Sequence, residues 1–325
     1  MKATIQPRTA KGGAEEAVPL RRAMFRALGT SCEIQYECEE PQVAVVFERA
    51  AVEWVAGFEA KYSRFRPDSL LSRINAAAGR DWVEVDFETE QLLSLCDRLY
   101  FLTQGVLDPT ALPLVKLWDY RNPKPTLPDE GAIAAARRLV GWPKVRRGPG
   151  CVFLPEAGMA LDFGGFGKEF AVDRVAQIAT QLGVAHALVD FGHDLRSVGR
   201  PSGRPAWHIG LEDPANPGAA DGSVALVSDR GIASSGDYIR RVVIDGVGYG
   251  HIVDPRTGRP VANGCRQATV IAGTCLQAGV LSTTAFALGI EKGLEFIQSF
   301  PGAEGLIVTE KLRAQTRGFY RYVVS

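Results

Sequence analysis

The chain contains several stretches in which apolar residues recur every three or four positions, the spacing typical of an amphipathic helix. In the first stretch, Phe47, Trp54 and Phe58 fall on one face of such a helix. In the last stretch, Gly289 interrupts the pattern. The spacing predicts helices over residues 43–62, 87–103, 128–140, 169–182 and 278–300.

Shorter apolar runs, bounded by glycine, proline or aspartate, indicate strands. Gly29-Thr30 divides the first run, and Asp245-Gly246 is a typical hairpin turn between two later ones. Residues 231–238 are small and polar, and we interpret them as a loop. The predicted strands are 25–36, 152–154, 159–161, 185–190, 207–211, 224–228, 242–244, 250–253, 266–272, 305–309 and 318–324.

The order of these elements indicates the fold class. Strands and helices are mixed without the strict strand–helix–strand alternation of a doubly wound sheet, and hairpin signals are frequent. We therefore expect an α+β fold with mixed, largely antiparallel sheets flanked by helices. Residues 1–22 are polar and predict a flexible arm, which leaves residues 23–325 as a single domain, with two lobes as one arrangement of it.

The composition excludes some classes of function. Of the 325 residues, 46% are hydrophobic and 23% are charged, as in an ordinary globular protein. Basic and acidic residues number 37 each, so nothing indicates a nucleic-acid partner, and an acidic ligand would have to meet local basic groups.

No run of about 18 apolar residues predicts a membrane span, and the polar N-terminus lacks the apolar core of a signal peptide. We therefore expect a cytoplasmic protein. The six cysteines have no metal-finger spacing, and scattered free thiols fit a reducing compartment. A bridge between Cys32 and Cys38 stays an alternative.

Four polar turns next to predicted strand ends are candidate ligand-binding loops, namely 108–110, 162–168, 234–237 and 251–258. The most informative is 162–168, where glycines separate a predicted strand from a predicted helix. Backbone N–H groups at a helix start favour an anion, and Lys168 adds a full positive charge there. Because the helix dipole disfavours a lysine at that end, an anionic ligand explains it best. We therefore expect this turn to bind phosphate.

Two interpretations of His251, one of four histidines, stay open. In one, its ring hydrogen-bonds the nearby Asp254 and stiffens a turn. In the other, it is a general base or proton relay, and the acid fixes its tautomer. Phe65 lies between two arginines, and it either caps a planar ring or simply packs.

Taken together, these motifs resemble the FAD:protein FMN transferase family, also called the ApbE family. The resemblance runs from Leu28 to about Gly289, and the segment 251–260, in order with the rest, is highly specific. The other matching segments include Leu28-Gly-Thr30, Ser69-Leu-Leu-Ser-Arg-Ile-Asn75, Leu107-Asp-Pro-Thr110, Leu161-Asp-Phe-Gly-Gly-Phe-Gly-Lys168, Asp190-Phe-Gly-His-Asp194 and Ser234-Ser-Gly-Asp-Tyr238.

The resemblance implies a fold, a reaction and a set of site residues. The architecture would be ApbE-like, similar to the T-fold, and FAD would lie between the two lobes. Family members bind FAD, use Mg²⁺ and cut the FAD pyrophosphate. FMN passes through a phosphoester bond to a threonine of an acceptor flavoprotein, and AMP leaves.

By match to the motifs, the resemblance implies that His251 and Asp254 are catalytic. It also implies that Mg²⁺ is bound by a backbone oxygen of Gly165 and by Thr283. The residues implied to contact FAD are Leu28, Phe65, Asp108, Thr110, Asp162, Lys168, Ser235, Gly236, Asp237 and Arg240.

One departure from the family pattern concerns the metal. The family's last long helix begins Ala-Asp-Ala-Leu-Ala-Thr, and its Asp and Thr ligate Mg²⁺, whereas this chain has Ala278-Gly-Val-Leu-Ser-Thr283. Because Gly279 offers no side-chain oxygen, either water or another acid fills the gap or metal binding is weak. We therefore expect Gly279→Asp to tighten Mg²⁺ binding. Smaller departures are Glu169 and His193, each where the family usually has glycine.

Three functions stay open at this point. The first is an active FMN transferase, which the intact lysine and histidine turns favour. The second is an FAD-binding paralogue without transferase activity, a carrier or sensor, which Gly279 favours. The third is an FAD pyrophosphatase that gives FMN and AMP, since a bound FAD needs only water as a different nucleophile.

Overall fold

The structure is a computed structural model that describes residues 18–118, 125–216, 218–226, 228–238 and 240–324. Its strands are β1 (Leu20–Ala27), β2 (Thr30–Glu37), β3 (Val83–Glu84), β4 (Arg146–Gly148), β5 (Cys151–Phe153), β6 (His186–Phe191), β7 (Asp194–Val198), β8 (Trp207–Glu212), β9 (Ala220–Leu226), β10 (Gly231–Gly236), β11 (Arg241–Ile244), β12 (Val247–Gly250), β13 (Val253–Asp254), β14 (Arg259–Pro260), β15 (Cys265–Ala272), β16 (Glu304–Thr309) and β17 (Arg313–Gln315). Its α-helices are α1 (Pro41–Tyr62), α2 (Leu70–Ala76), α3 (Phe87–Leu102), α4 (Leu112–Leu117), α5 (Glu130–Arg138), α6 (Gly167–Gln181), α7 (Cys275–Leu288) and α8 (Ile290–Gln298).

Within these described ranges, the main sheet has eight strands in the order β1-β2-β6-β7-β10-β15-β16-β17. Every neighbouring pair in it is antiparallel. The predicted α+β fold with largely antiparallel sheets is therefore confirmed.

The two faces of this sheet are covered by different layers. On β6, Ala187 and Val189 belong to the apolar cluster that α1 and α6 form on one face. Leu188, which lies between them, packs instead with Trp207 of β8 on the other face. This alternation follows from the two-residue period of a strand, and it places the helices on one side and the β8–β9 hairpin on the other.

The predicted helices are confirmed with small shifts of their ends. The last one is divided into α7 and α8 at Gly289, whose φ of +85° stops the first helix. A helix that was not predicted, α2, begins after Ser69, whose hydroxyl accepts a hydrogen bond from the Ser72 N–H. No helix in the described part of the chain is long and apolar enough to cross a membrane.

The loop predicted over 231–238 is wrong, because β10 lies there, between β7 and β15 in the main sheet. The small residues have a packing reason, since a Cβ at Gly231 would clash with the backbone N of Cys275 at the start of α7. The close approach of a helix, rather than a turn, therefore requires glycine at this position.

Two predicted strands are also wrong, and a third, 250–253, is displaced, because β12 ends at Gly250 and β13 begins only at Val253. Residues 159–161 form no strand, and Asn75 instead binds both backbone polar groups of Leu161, with its Oδ1 2.6 Å from the N and its Nδ2 2.9 Å from the O. The predicted strand 318–324 contains a short 3₁₀ helix, Phe319–Arg321, anchored where the Gly318 N–H donates to Glu304.

The predicted N-terminal arm, residues 1–22, overlaps β1, which begins at Leu20 and pairs with β2. The Arg22 guanidinium donates two hydrogen bonds to Glu33 at 2.7 and 2.6 Å across this pair. Polar residues are common on an edge strand, so composition alone predicted the wrong boundary. Residues 1–17 lie outside the described residues. All six cysteines are free thiols, so Cys32 and Cys38 form no bridge.

Candidate active site

A cavity of about 1550 Å³ opens beside the main sheet. Binding sites for small molecules commonly have volumes of roughly 300–1,000 Å³, so this cavity has room for a dinucleotide. The predicted site residues that line it are Leu28, Phe65, Asp108, Asp162, Gly165, Lys168, Ser235, Gly236, Arg240, His251 and Thr283. The remaining three, Thr110, Asp237 and Asp254, are not part of the lining.

The β1–β2 turn borders the cavity in a strained conformation. Leu28 and Gly29 have φ of +54° and +71°, the pair of left-handed residues that a type I′ hairpin turn requires. Leu28 is not a glycine, and its N–H donates to Glu59 Oε1 of α1 at 2.8 Å. This bond stabilises an unfavourable backbone conformation at the rim of the cavity.

A second turn of the same kind joins β6 to β7. Gly192 and His193 have φ of +59° and +73°, and the His193 N–H donates to Asp190 Oδ1 at 2.7 Å. Burial lowers the pKa of His193 to about 4 and raises the pKa of Asp190 to about 6. The turn therefore presents a neutral imidazole to the cavity at neutral pH.

The glycine turn before α6 is held by Asp162. Its Oδ1 accepts from the Gly164 N–H at 3.0 Å, and its Oδ2 lies 3.5 Å from Arg64 Nε. The Arg64 guanidinium in turn lies 4.6 Å from the centre of the Phe65 ring, and 64% of Phe65 is exposed. An exposed aromatic side chain is thus positioned at the cavity, where a planar ligand can stack on it.

Lys168 does not carry an unpaired charge. Its Nζ lies 2.5 Å from Asp194 Oδ2, and it donates a longer bond of 3.3 Å to the Gly192 carbonyl. Burial opposes the charged form, but the Asp194 and Glu169 carboxyls outweigh it and raise the pKa of Lys168. The lysine is therefore protonated, and its charge is shared with a buried acid.

Asp108 stabilises the loop that faces this turn. Its Oδ1 accepts from the N–H of Thr110 at 2.8 Å and from its hydroxyl at 2.6 Å, and its Oδ2 accepts from the Trp142 N–H at 3.2 Å. Pro109, between them, accepts from the Asp162 N–H at 2.8 Å. Although burial raises the pKa of Asp108, its oxygens already have donors, so it positions the loop.

His251 and Asp254 have different partners in the structure. The Nδ1 of His251 lies 3.1 Å from the Arg240 carbonyl O, while the Asp254 carboxylate accepts from Arg256 Nε and Nη2 at 2.9 and 2.8 Å. The hydrogen bond between His251 and Asp254, on which both interpretations of His251 relied, is therefore not formed. Burial first, and then Arg240, lower the pKa of His251 to about 4, so its ring is neutral and can accept a proton.

The two residues implied as Mg²⁺ ligands lie on different elements. Gly165 belongs to the turn before α6, and Thr283 belongs to α7, where its Oγ1 lies 2.9 Å from Ser235 Oγ. No group of three or more His, Cys, Asp or Glu residues suited to a metal occurs within the described residues. However, Glu169 also lines the cavity, and within the described part of the chain its buried Oε2 has no hydrogen-bond partner. A carbonyl, a hydroxyl and a carboxyl are the hard oxygen donors that fit Mg²⁺.

Sequence reasoning assigned no role to Glu59, Asn75 and Asp194, although each fixes a residue of this site. Asn75 and Asp194 fall inside segments that match the family, so this match could have identified both residues. Glu59 had no signal, because its contact with the β1–β2 turn depends on how α1 packs in the folded chain.

Residues 28–307 of the chain match the ApbE family. The chain is similar to the FAD:protein FMN transferase of Treponema pallidum, with 32% identity over 303 residues that cover 86% of this chain and 82% of the relative. It is also similar to the FAD:protein FMN transferase of Haemophilus influenzae, with 30% identity over 87% of this chain and 85% of the relative.

Solved structures give the same result. An ApbE protein from Thermotoga maritima has a TM-score of 0.86 and 31% identity, and the alignment covers 94% of this chain and all of that one. The flavin transferase ApbE from Vibrio cholerae has a TM-score of 0.81 and 26% identity, with the same coverage. The ApbE-like architecture expected from the sequence is therefore confirmed.

Proposed function

The chain belongs to the ApbE family, and we propose that it transfers FMN from FAD to a threonine of an acceptor flavoprotein, forming a phosphoester bond and releasing AMP. The observation that carries this proposal is the convergence of the lysine turn, Ser235 and His251 on one cavity of dinucleotide size. Proteins named FAD:protein FMN transferase, each similar over most of the chain, support an enzymatic role.

The proposed reaction exchanges the phosphoanhydride linkage of FAD for a phosphoester linkage to threonine. The threonine oxygen forms a bond to the phosphorus of the FMN half, and the bond from this phosphorus to the bridging oxygen breaks. AMP leaves with the bonding electron pair. The hydroxyl proton of threonine passes to Nε2 of His251, because its Nδ1 donates to the Arg240 carbonyl and leaves the other ring nitrogen as the acceptor. Asp254 acts as a positioning residue, since its ion pair with Arg256 stabilises the turn after His251.

The remaining residues bind FAD in this proposal. Phe65 stacks on a planar ring of FAD, and Lys168 approaches the diphosphate. The Gly165 carbonyl and the Thr283 hydroxyl would hold Mg²⁺, which supplies neutralisation of the pyrophosphate charge when it is bound. The chain from β1 onward forms one domain in this view, and FAD lies between its two lobes.

One experiment tests the proposal against both alternatives. The purified protein is incubated with FAD, Mg²⁺ and a flavoprotein domain that presents an acceptor threonine, with a Thr→Ala acceptor as the control. We expect a mass increase of the acceptor by FMN and release of AMP, and neither with the control acceptor. Free FMN with AMP would indicate hydrolysis instead, and bound but unchanged FAD would indicate a carrier.

Variants at the histidine turn test the assigned roles. His251→Gln is expected to lower the transfer rate by about 10²–10⁴-fold, the usual contribution of a general base, with FAD affinity retained. Asp254→Asn is expected to have a smaller effect, because it weakens a positioning contact. Equal rates for wild type and His251→Gln would exclude His251 as the proton acceptor.

A further inference from the structure

The space beside Gly279 on α7 is already filled by a side chain from α6. A Cβ at position 279 would lie 2.6 Å from Glu169 Cγ and 3.1 Å from its Oε1. Real Cβ atoms essentially never approach within 3.0 Å of another heavy atom, so the side chain of Glu169 takes the room that a larger residue at 279 would need. Glycine at 279 and glutamate at 169 are therefore sterically linked.

The carboxyl group of Glu169 is incompletely satisfied. Its Oε2 is buried and, among the described residues, has no hydrogen-bond partner. A buried polar atom left without a partner costs about 1–3 kcal/mol, and native proteins rarely keep one without a functional reason. Glu169 lines the cavity together with Gly165 and Thr283, so a cation that enters the cavity can meet all three residues.

The charges around this oxygen favour a cation. Lys168 pairs with Asp194, while burial, followed by the Asp194 carboxyl, raises the pKa of Glu169 well above its ordinary value. Glu169 therefore holds a proton when no cation is bound, and a divalent cation would take the place of that proton. Thr283 lies one helical turn after Gly279 on the same face of α7, which places its hydroxyl on the side of α7 that Glu169 packs against.

We propose that Glu169 supplies the carboxylate ligand of a divalent-cation site that Thr283 and Gly165 complete, in place of a carboxylate at position 279. This inference rests on the metal-assisted transfer proposed above. It also reverses the expectation that Gly279→Asp tightens Mg²⁺ binding, because the new side chain would collide with Glu169 and add a second negative charge beside it.

The inference is tested by titrating the full chain with Mn²⁺, a spin-active substitute for Mg²⁺, and measuring free Mn²⁺ by electron paramagnetic resonance. Titrations are made without FAD and with saturating FAD. Glu169→Gln, which keeps the shape of the side chain, is expected to weaken Mn²⁺ binding at least about tenfold. Glu291→Gln removes a glutamate from the first turn of α8 instead, and it should bind Mn²⁺ as the wild type does.

A carboxylate exchange provides a second, independent test. Gly279→Asp alone is expected to bind Mn²⁺ no more tightly than the wild type. Glu169→Gly combined with Gly279→Asp moves the carboxylate from α6 to α7 and removes the collision. This double variant is expected to bind Mn²⁺ more tightly than Glu169→Gln does.

The outcomes separate this inference from the proposed function. A folded Glu169→Gln variant with wild-type Mn²⁺ affinity would overturn the role of Glu169, as would a wild type that binds no Mn²⁺ in either titration. Should Glu169→Gln not fold, the double variant decides, and its failure to bind Mn²⁺ while folded overturns the inference. FAD binding and threonine transfer by the wild type are measured on the same preparation, so either proposal can fail alone.

Discussion

Lys168 Nζ and Asp194 Oδ2 lie 2.5 Å apart, and Asp194 is almost completely buried. The lysine that sequence analysis assigned to a phosphate therefore has an acidic partner before any ligand binds. An ammonium group has three N–H donors, so Lys168 can hold Asp194 and still donate to an anion. Asp194 fixes where that donor points.

A double-mutant cycle measures this pair. Lys168→Met is expected to cost about 3–5 kcal/mol of unfolding free energy, because it leaves a buried carboxylate without its partner. Lys168→Met combined with Asp194→Asn should cost clearly less than the sum of the single variants. Urea unfolding of the wild type and the three variants gives the four free energies, and strictly additive values would show that the two groups are not coupled in the folded protein.

Phe65 allows ligand binding to be tested without a loss of stability. Because 64% of its ring is exposed, Phe65→Ala should change the unfolding free energy by no more than about 0.5 kcal/mol. If the ring stacks on FAD, its removal should weaken FAD binding by about 1–3 kcal/mol, measured by flavin fluorescence titration.

A matched phenylalanine controls for the loss of a surface aromatic. Phe101 is 70% exposed on α3 and does not line the cavity, so Phe101→Ala should leave FAD affinity unchanged. Equal FAD affinities for Phe65→Ala and the wild type would mean that the Phe65 ring does not stack on FAD.

Sequence analysis succeeded where the signal is local. The helices and the Asp245-Gly246 hairpin follow from short-range periodicity and turn residues, and each of the four polar turns contributes residues to the cavity lining. It failed at Gly231 and at residues 159–161, where distant contacts decide. The small residues of β10 reflect the approach of α7, and Leu161 is held by Asn75, 86 positions earlier. Neither of these contacts can be predicted from a single sequence.

The ion-pair and hydrogen-bond partners of the charged groups could not be predicted from the sequence either. Glu169 follows Lys168 directly in the sequence, but the ion-pair partner of Lys168 is Asp194, beyond α6 and β6. The pairing of His251 with Asp254 was suggested by their spacing, whereas the fold gives His251 the Arg240 carbonyl. Motifs therefore indicated which residues gather at the site, and tertiary packing decided which atoms meet.

The lowered pKa of His251 predicts a pH-dependent contribution to stability. Its pKa falls from 6.5 to about 4 on folding, so between these values the unfolded chain binds more protons than the folded one. The contribution of His251 to the free energy of unfolding is therefore fully present above about pH 6.5, and it is lost as the pH falls towards 4.

The test compares the wild type with His251→Gln by urea unfolding at pH 7 and pH 4.5. On acidification, the wild type should lose on the order of 2 kcal/mol more than the variant, since one pKa unit corresponds to about 1.4 kcal/mol. Other titrating groups are common to both proteins and cancel in the comparison. Parallel losses would show that the His251 ring titrates alike in the folded and unfolded chain.

Gly192 is expected to tolerate no side chain, for two separate reasons. Its φ is +59°, and a Cβ would clash with Thr30 Oγ1 on the neighbouring strand. Gly183 has a similar φ of +79° but open space around it, so Gly183→Ala should cost only the left-handed strain of about 1–2 kcal/mol. Gly192→Ala should cost about 1–3 kcal/mol more, the usual cost of overpacking, in thermal or urea unfolding. Equal costs would mean that β2 shifts to admit the methyl group.

Asn75 offers the most direct test of how the glycine turn is held beside the cavity. Its Oδ1 accepts from the Leu161 N–H, and its Nδ2 donates to the Leu161 carbonyl, immediately before Asp162. Asn75→Asp keeps the acceptor but turns the donor into a second oxygen facing a carbonyl, so it should destabilise more than Asn75→Ala. We expect a loss of about 1–3 kcal/mol for Asn75→Asp and a weaker FAD affinity, measured by urea unfolding and flavin titration. If Asn75→Ala proves the worse variant, the side chain stabilises α2 by packing and does not control the turn through these two bonds.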